Sequence, residues 1–398
     1  MTDETQEQQI TAVGNEMSAS FLAAKKRSNA TLAKLEEHPE KFTMLTGDRP
    51  TGRLHLGHYF GSIRERVAMQ NRGVNSNIII ADYQVITDRD TTEHIEENVL
   101  NLVLDYMAAG IDPEKTMIFT HSAVPAENQL MLPFLSLVTE AELHRNPTVK
   151  SEMEASGHAL TGLLLTYPVH QACDILFCKG NVVPVGRDQI QHIEMARDIA
   201  SSFNHLYGDH FTLPEAAVEE SVATLAGRDG RKMSKSYDNT IPLFSSREQL
   251  RKLIGAILTD SRAPGEAKEV EGSALFQIYQ AFASADEAAA LRQQYADGIG
   301  WGDAKQLLLD CVDHAIAPMR AHYQELINHP ARIEQTLLAG AERARAVATP
   351  FIRELRSAVG LRSLVQAAPA APKKADKASK AALPSFKQYR EADGQFYF

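Results

Sequence analysis

The sequence predicts an α/β fold: a Rossmann-like, doubly wound parallel sheet with an all-α C-terminal domain. Three observations carry it. Short apolar, β-branched runs alternate with helical patterns in the first half of the chain, the arrangement of βαβ units. A Gly- and Pro-rich turn within Thr46–Ser62, TGDRPTGRLHLGHYFGS, separates the first strand from the first helix. Past residue 246 strand signals give way to helical periodicity.

In order, residues 1–40 read as an Ala-, Glu- and Lys-rich helical extension, with Phe21, Leu22, Leu32 and Leu35 scattered along it. Residues 41–245 hold the sheet. Phe42–Thr46 is its first strand, and Tyr59, Ile63, Val67 and Met69 give the following helix its spacing up to Gly73. Asn77–Asp82 and Thr116–Thr120 are further strands. Between them Thr91–Ala109 forms a helix with Ile95, Val99, Leu102, Val103 and Tyr106 on one side. Leu163, Leu164, Tyr167, Gln171, Asp174 and Ile175 set another helix, which Pro168 bends or begins. Val182–Gly186 is a short strand, and Asp188 and Gln189 start the next helix.

Residues 246–365 read as helices over Arg247–Leu258, Ser273–Ser284, Ala285–Tyr295, Gly302–Tyr323 and Pro330–Val359, with Leu307, Leu308, Cys311, Val312 and Ala315 as a core stripe. Residues 366–382 are an Ala/Pro/Lys-rich linker. Residues 383–398 suggest a β-hairpin around Asp393-Gly394. A lone hairpin is marginal in water, so it docks, belongs to a longer segment or stays disordered. Its aromatic rings beside Lys387 and Arg390 could stack on RNA bases.

Composition narrows the class. With 398 residues, 44% apolar and 23% charged, the chain is ordinary for two or three soluble domains. No apolar run is long enough for a bilayer, and Met1–Asn15 is not a signal peptide, so the expectation is a cytoplasmic protein with no membrane partner. Three cysteines, none in C-x-x-C spacing, argue against a disulfide framework, a structural zinc or an iron–sulfur cluster. Net charge is −10, yet residues 331–398 hold 12 Lys+Arg against 6 Asp+Glu. A basic end on an acidic body suits RNA and solvated helices equally.

The chemistry concentrates in three places. A strand, a tight turn and a helix N-terminus make an anion site, because free N–H groups and the positive dipole end face one spot. There His55 and His58 add two donors on one helix face, and Gly57 admits a flat ring or a phosphate. Alone, H-x-x-H is as well explained by surface or capping histidines; a zinc pair lacks a Glu or Cys at ligand spacing. Far downstream, GRDGRKMSKS puts Lys232 and Lys235 on a loop able to swing over a triphosphate. Between them, Tyr167, Gln171 and Asp174 at i, i+4 and i+7 put three polar groups on one helix face. Singly each reads as a buried polar residue bonded to backbone; together they suggest a pocket for a small aromatic or an amino acid.

HLGH and KMSKS, in that order, resemble the two signatures of class I aminoacyl-tRNA synthetases. Within that class the span 41–360 is similar to tryptophanyl-tRNA synthetases through TGDRPTGRLHLGHY, YPVHQACDILF, VPVGRDQIQHIE, GRKMSKS and the segment Gly300–Lys305. The resemblance implies a Rossmann-like catalytic domain, a helical domain contacting the anticodon of tRNA(Trp), and a homodimer that uses ATP with Mg²⁺ and L-tryptophan. It lays Arg49, Pro50 and Thr51 along ATP, Gly57 beneath adenine, and His55 and His58 near the phosphates. It puts Gly186 and Asp188 on the ribose, Tyr167 and Gln189 on the substrate amino group, and Asp174 on the indole N–H. Lys232, Met233, Ser234, Lys235 and Ser236 form the loop that neutralises pyrophosphate. Gln84 and Gln171 depart from the family, where His and Met are common. Asp174 accepts from an indole N–H or a phenol O–H alike, so a tyrosyl-tRNA synthetase stays open. So do another nucleotidyl-transferring enzyme of the superfamily and a non-charging paralogue that binds RNA or nucleotide.

Overall fold

The computed structural model describes residues 22–87, 89–150, 160–186, 189–218 and 225–361, and the strand residues 389–390 and 396–397. The chain divides into two compact units, residues 1–361 and 362–398.

The large unit is built on five parallel strands: β1 (Thr43–Asp48), β2 (Asn75–Ile80), β3 (Thr116–Thr120), β4 (Val182–Pro184) and β5 (Glu215–Ala217). Their order is β3-β2-β1-β4-β5. Each crossover carries helix: α2 (Arg64–Arg72), α3 (Ile95–Ala108), α4 (Gly162–Phe177) and α5 (Ile190–Tyr207). A helix over residues 22–37, α1, precedes β1. Strand order reverses between β1 and β4, so the ligand crevice of such a sheet opens beyond their C-terminal ends.

Alternation along the strands explains why both faces are covered. Ile78 and Ile80 point into one apolar cluster with α3, while Leu45, Ile79, Met117 and Phe119 point into another with α4 and α5. On α1, Leu35 is fully buried with Met44, Met69 and Val182. Arg27 Nε, 3.2 Å from Glu215 Oε2, and Ser28 Oγ, accepting from Val218 N–H at 2.8 Å, tie α1 to the β5 edge. Pro168 does not start α4 but lies inside it. The helix runs through it from Thr161, whose hydroxyl accepts the Leu164 N–H at 3.1 Å.

After residue 246 come α6 (Arg247–Gly255), α7 (Ala274–Phe282), α8 (Ala285–Ala296), α9 (Trp301–Ile327) and α10 (Pro330–Ala358). They share the core of the sheet rather than one of their own: Leu308, Val312 and Ile316 of α9 lie in the cluster of Ile78 and Ile118. The expected α9 stripe is rotated by a fraction of a turn, with Leu308 and Val312 common to both. Leu307 and Ala315 are exposed, and Ala304, Leu308, Leu309, Val312 and Ile316 are buried. The buried set follows the 3.6-residue period better, with Leu309 added on the inner side. α10 covers the edge strand β3, where a Cβ on Gly340 would stand 1.7 Å from the Ile118 carbonyl oxygen, so only glycine fits.

In the small unit, β6 (Tyr389–Arg390) and β7 (Phe396–Tyr397) pair antiparallel, Tyr389 with Tyr397 and Arg390 with Phe396. The predicted Asp393-Gly394 turn lies outside the described residues.

Candidate functional site

Past Asp48 the β1 strand enters a turn in which Arg49 and Thr51 are exposed and Pro50 is buried. His55 is not on the helix face the spacing suggested. It is the extended N-cap residue, φ −126° and ψ 171°. Its N–H donates to His58 Nδ1 at 3.2 Å, and the two ring centres lie 3.6 Å apart, tilted by 31°. That bond leaves His58 Nε2 to carry the ring proton. Burial, then His58 and Lys235, lowers His55 to about 3; burial likewise takes His58 to about 4 despite Asp48. Both imidazoles are therefore uncharged donors at neutral pH. A Cβ on Gly57 would meet the His55 ring at 3.0 Å and the Met233 Cβ at 3.4 Å. The space that glycine opens is thus taken by those two side chains.

The downstream loop folds back onto this turn. Leu56 N–H donates to the Ile241 carbonyl at 3.0 Å, and His55 bridges Pro242. Met233 is buried, its N–H bonded to the Leu225 carbonyl at 2.9 Å. Asn239, buried, organises the rest. Its Oδ1 accepts from Ser234 N–H at 2.8 Å, and its Nδ2 donates to the Lys232 carbonyl at 3.0 Å and to Asp229 at 2.7 Å. Lys232 is exposed, and Lys235 reaches across to donate to the Thr51 carbonyl at 3.2 Å. Ser236 lies on the short turn Lys235–Tyr237.

The two carboxylates that act on Lys235, Asp105 and Asp48, already hold arginines. Arg53 Nε is 3.2 Å from Asp105, which also accepts Leu54 N–H at 2.9 Å. The Arg53 guanidinium lies 4.8 Å from the Tyr323 ring centre, tying this turn to α9. Arg66 Nη1 is 2.6 Å from Asp48, and Tyr106 bonds the same carboxylate. Burial would push Asp48 up, yet the Arg66 guanidinium outweighs it and holds the group below the usual carboxylate range.

Beyond β2 and β3 lies a second wall. Asp174, 3% exposed, faces His121 from the turn after β3, with His121 Nε2 3.1 Å from Asp174 Oδ2. His170, one turn earlier on α4, has Nδ1 3.9 Å from Asp174 Oδ1, and Glu127 Oε1 is 3.9 Å from its Nε2. The Tyr83 ring stacks 6.0 Å from His121. Burial opposes charge on His121, but Asp174 outweighs it and raises the imidazole above its ordinary value. Burial, with Asp174 and Asp82 adding, pushes Glu127 well above the usual carboxylate range. Among the described residues, His121, His170 and Asp174 are the group whose donor atoms, within 4.8 Å of one another, could hold a metal ion, although no zinc site was expected.

Tyr167 and Gln189 meet through a residue the sequence did not flag. Buried His192 has Nε2 3.3 Å from the Tyr167 hydroxyl and Nδ1 2.9 Å from Gln189 Oε1. Gln171 is half-buried on α4. Gly186 sits exposed past β4, its carbonyl accepting the Gln189 N–H at 3.1 Å, and Asp188 lies outside the described residues. The structure thus brings Thr51, His55, Gly57, His58, Met233 and Lys235 together, and separately Tyr167 with Gln189. His121, Glu127, His170, Asn239, Asp105 and His192 were missed. None carries a motif of its own, and only an odd polar side chain within an apolar stretch, as at Asp105, could have signalled any of them.

A parallel sheet in this order, with an HxGH turn leaving its central strand and a KMSKS loop folded back on that turn, defines the catalytic unit of a class I aminoacyl-tRNA synthetase. A family model described as tRNA synthetases class I (W and Y) matches residues 37–316. The chain is 50% identical over 365 residues to the tryptophan–tRNA ligase of Xanthomonas campestris pv. campestris, covering 89% of this chain and 84% of that protein. The enzyme of the same name from Pseudomonas putida is 45% identical, with 89% and 81% covered. A crystal structure of tryptophanyl-tRNA synthetase from Campylobacter jejuni, complexed with ADP and tryptophan, superposes with a TM-score of 0.73 at 37% identity, covering 80% of this chain and all of that one. The chain belongs to the class I tRNA synthetases of the tryptophan and tyrosine family.

Proposed function

We propose that this protein is a tryptophan–tRNA ligase: it activates L-tryptophan with ATP to tryptophanyl-adenylate and passes the aminoacyl group to a terminal ribose hydroxyl of tRNA(Trp). The observation that carries the mechanism is the reach of the Lys235 ammonium to the Thr51 carbonyl, which closes the two signature loops on each other. Family membership and the named relatives support the substrate choice.

The substrate carboxylate is ionised at pH 7, so its attack on the α-phosphate needs no general base. A new carboxylate O–P bond forms as the bond to pyrophosphate breaks. Catalysis then rests on positioning and on donors aimed at the leaving charge. Lys232 and Lys235 supply ammonium donors; His55 and His58 supply uncharged N–H groups that do not compete with bound cations. Arg49, Pro50 and Thr51 lie along the nucleotide with Gly57 under adenine, and Gly186 with Asp188 serves the ribose. Met233 and Asn239 hold the lysine loop in shape, with Ser234 and Ser236 in it. Tyr167 and Gln189, coupled through His192, orient the amino group. Asp174 accepts the indole N–H, with Gln171 on the same wall.

Mg²⁺ does not fit a protein-held site beside the lysines, because Asp48 and Asp105 are already taken by Arg66 and Arg53. It would arrive on the triphosphate, as is usual for this ion. The helices of residues 246–365 carry the anticodon contact, on the catalytic body of residues 41–245. Pairing of two copies and a cytoplasmic location belong to the same reading and rest on family membership. No helix among the described residues is long and apolar enough to cross a membrane.

ATP–pyrophosphate exchange with tryptophan and with tyrosine, followed by tRNA charging, tests the assignment. Exchange with tryptophan and charging of tRNA(Trp) are expected. Exchange with tyrosine alone would overturn the substrate, and exchange without charging would leave a paralogue.

A further inference from the structure

The wall around Asp174 carries more ionisable groups than one hydrogen bond to a substrate ring requires. His121 and Glu127 are fully buried, and His170 and Asp174 nearly so. Their arrangement is directional. His121 closes one side of the carboxylate, at 3.1 Å from Oδ2. The other oxygen, Oδ1, is buried with no hydrogen-bond partner among the described residues. His170 presents Nδ1 to it at 3.9 Å. On its far side, His170 Nε2 lies 2.8 Å from Asn128 Oδ1. With that amide oxygen accepting, the ring proton is assigned to Nε2, and Nδ1 offers only a lone pair. Asp174 Oδ1 and His170 Nδ1 therefore form a notch of two acceptors and no donor.

We propose that this notch selects a ring N–H over a ring hydroxyl, with His121 and His170 acting as specificity-determining positioning residues around Asp174. The inference deepens the reading of Asp174 as the indole acceptor and rests on it. An indole N–H is a donor without an accepting lone pair, so it satisfies Oδ1 and leaves nothing to oppose His170 Nδ1. A phenol can donate to one acceptor, but its oxygen then turns lone pairs on the other. An unmatched buried acceptor of this kind separates two ligands by about 10- to 100-fold. His121 keeps the notch an acceptor. Lying 3.1 Å from Oδ2, it draws that oxygen to its own side and leaves Oδ1 turned to the notch. Glu127 faces Nε2 rather than the notch, 3.9 Å away on the far side of the His170 ring.

The test is ATP–pyrophosphate exchange by the full chain with L-tryptophan, its benzothiophene analogue (sulfur in place of N–H) and L-tyrosine. For the native protein, kcat/KM should favour tryptophan over the sulfur analogue by about 10- to 100-fold. His121→Phe should shrink that ratio to within about threefold through KM for tryptophan, with KM for ATP nearly unchanged, whereas His121→Gln, whose amide still donates to Oδ2, should keep most of it. His170→Leu should raise tyrosine relative to tryptophan by about tenfold. If His121→Phe does not fold, His121→Gln and His170→Leu decide alone. An unchanged ratio in folded His121→Phe or in His170→Leu overturns the notch, as does a collapse of the ratio in His121→Gln. So does tightly bound zinc whose removal alters KM for tryptophan, since a metal would occupy these lone pairs. Failure of the native protein to use tryptophan at all would instead overturn the proposed function.

Discussion

Two pairs of histidines line this crevice; His121 alone of the four is raised, His170 being lowered chiefly by burial. His55 and His58 touch each other and face Lys235, so burial and cationic neighbours strip their charge, to about 3 and about 4. His121 is more deeply buried still, yet it is raised, because Asp174 sits 3.1 Å away. Burial alone does not set the charge of an imidazole; a close enough anion can outweigh it. The difference suits the ligand proposed for each wall, a triphosphate at the first and an indole at the second. A triphosphate brings its own charge and its own cation, and uncharged donors suffice beside two lysines. A neutral indole brings neither, so a carboxylate aimed at it needs a resident counter-charge.

Removing that counter-charge relation should give the largest effect. Asp174→Ala leaves His121 buried beside no anion, and breaking such a pair costs about 3–5 kcal/mol. A clear fall in Tm and loss of tryptophan-dependent exchange are expected; unchanged melting and activity would abolish the contrast between the walls. Next, Lys235→Ala should slow adenylate formation by about 10²–10³-fold, about 2.7–4 kcal/mol, as for other donors to a leaving charge. Pre-steady-state exchange reads this directly, and a native rate would remove Lys235 from the reaction.

The third comparison is in pH. His55 and His58 have folded values below the ordinary 6.5, so the unfolded chain binds their protons first. Their contribution is whole above about pH 6.5 and falls away toward pH 4, by on the order of 1–2 kcal/mol each at pH 5. His121 acts oppositely: its contribution is full below its unfolded value and is lost as pH rises through its raised folded one. Melting curves between pH 4 and 8 should therefore flatten on the acid side for a His55→Gln, His58→Gln double variant and on the alkaline side for His121→Gln. Identical profiles would refute the opposite charges. The smallest effect is expected from Gly57→Ala. Its Cβ at 3.0 Å from the His55 ring demands a shift of a few tenths of an ångström, so KM for ATP should rise only a few-fold. A hundredfold loss would mean that His55 does more than its neutral donation allows.

Much of this was legible in the chain itself. Thr116–Thr120 is the strand the sequence indicated, and the helical spans past residue 246 agree to within a few residues, because apolar periodicity is a local property. The KMSKS loop and the HxGH turn were visible as consecutive motifs, and Tyr167 and Asp174 as one helix face. What failed did so where neighbours in space decide. Pro168 stays inside α4 because a Thr161 cap and a buried apolar side hold the helix through it. Leu307 turns outward because Leu309 takes the inner side against the sheet cluster.

Sequence alone thus determined the elements, their order, and the two signatures of the proposed nucleotide site, since each is written in residues close along the chain. Tertiary structure alone decided which imidazoles carry charge, that Asn239 shapes the lysine loop, and that His121, Glu127 and His170 converge on Asp174. The physical reason is that charge state and hydrogen-bond direction depend on distances of a few ångströms between residues up to 184 positions apart, as for Thr51 and Lys235. No local pattern encodes those distances; the packing of α4 and of the turn after β3 onto the sheet does.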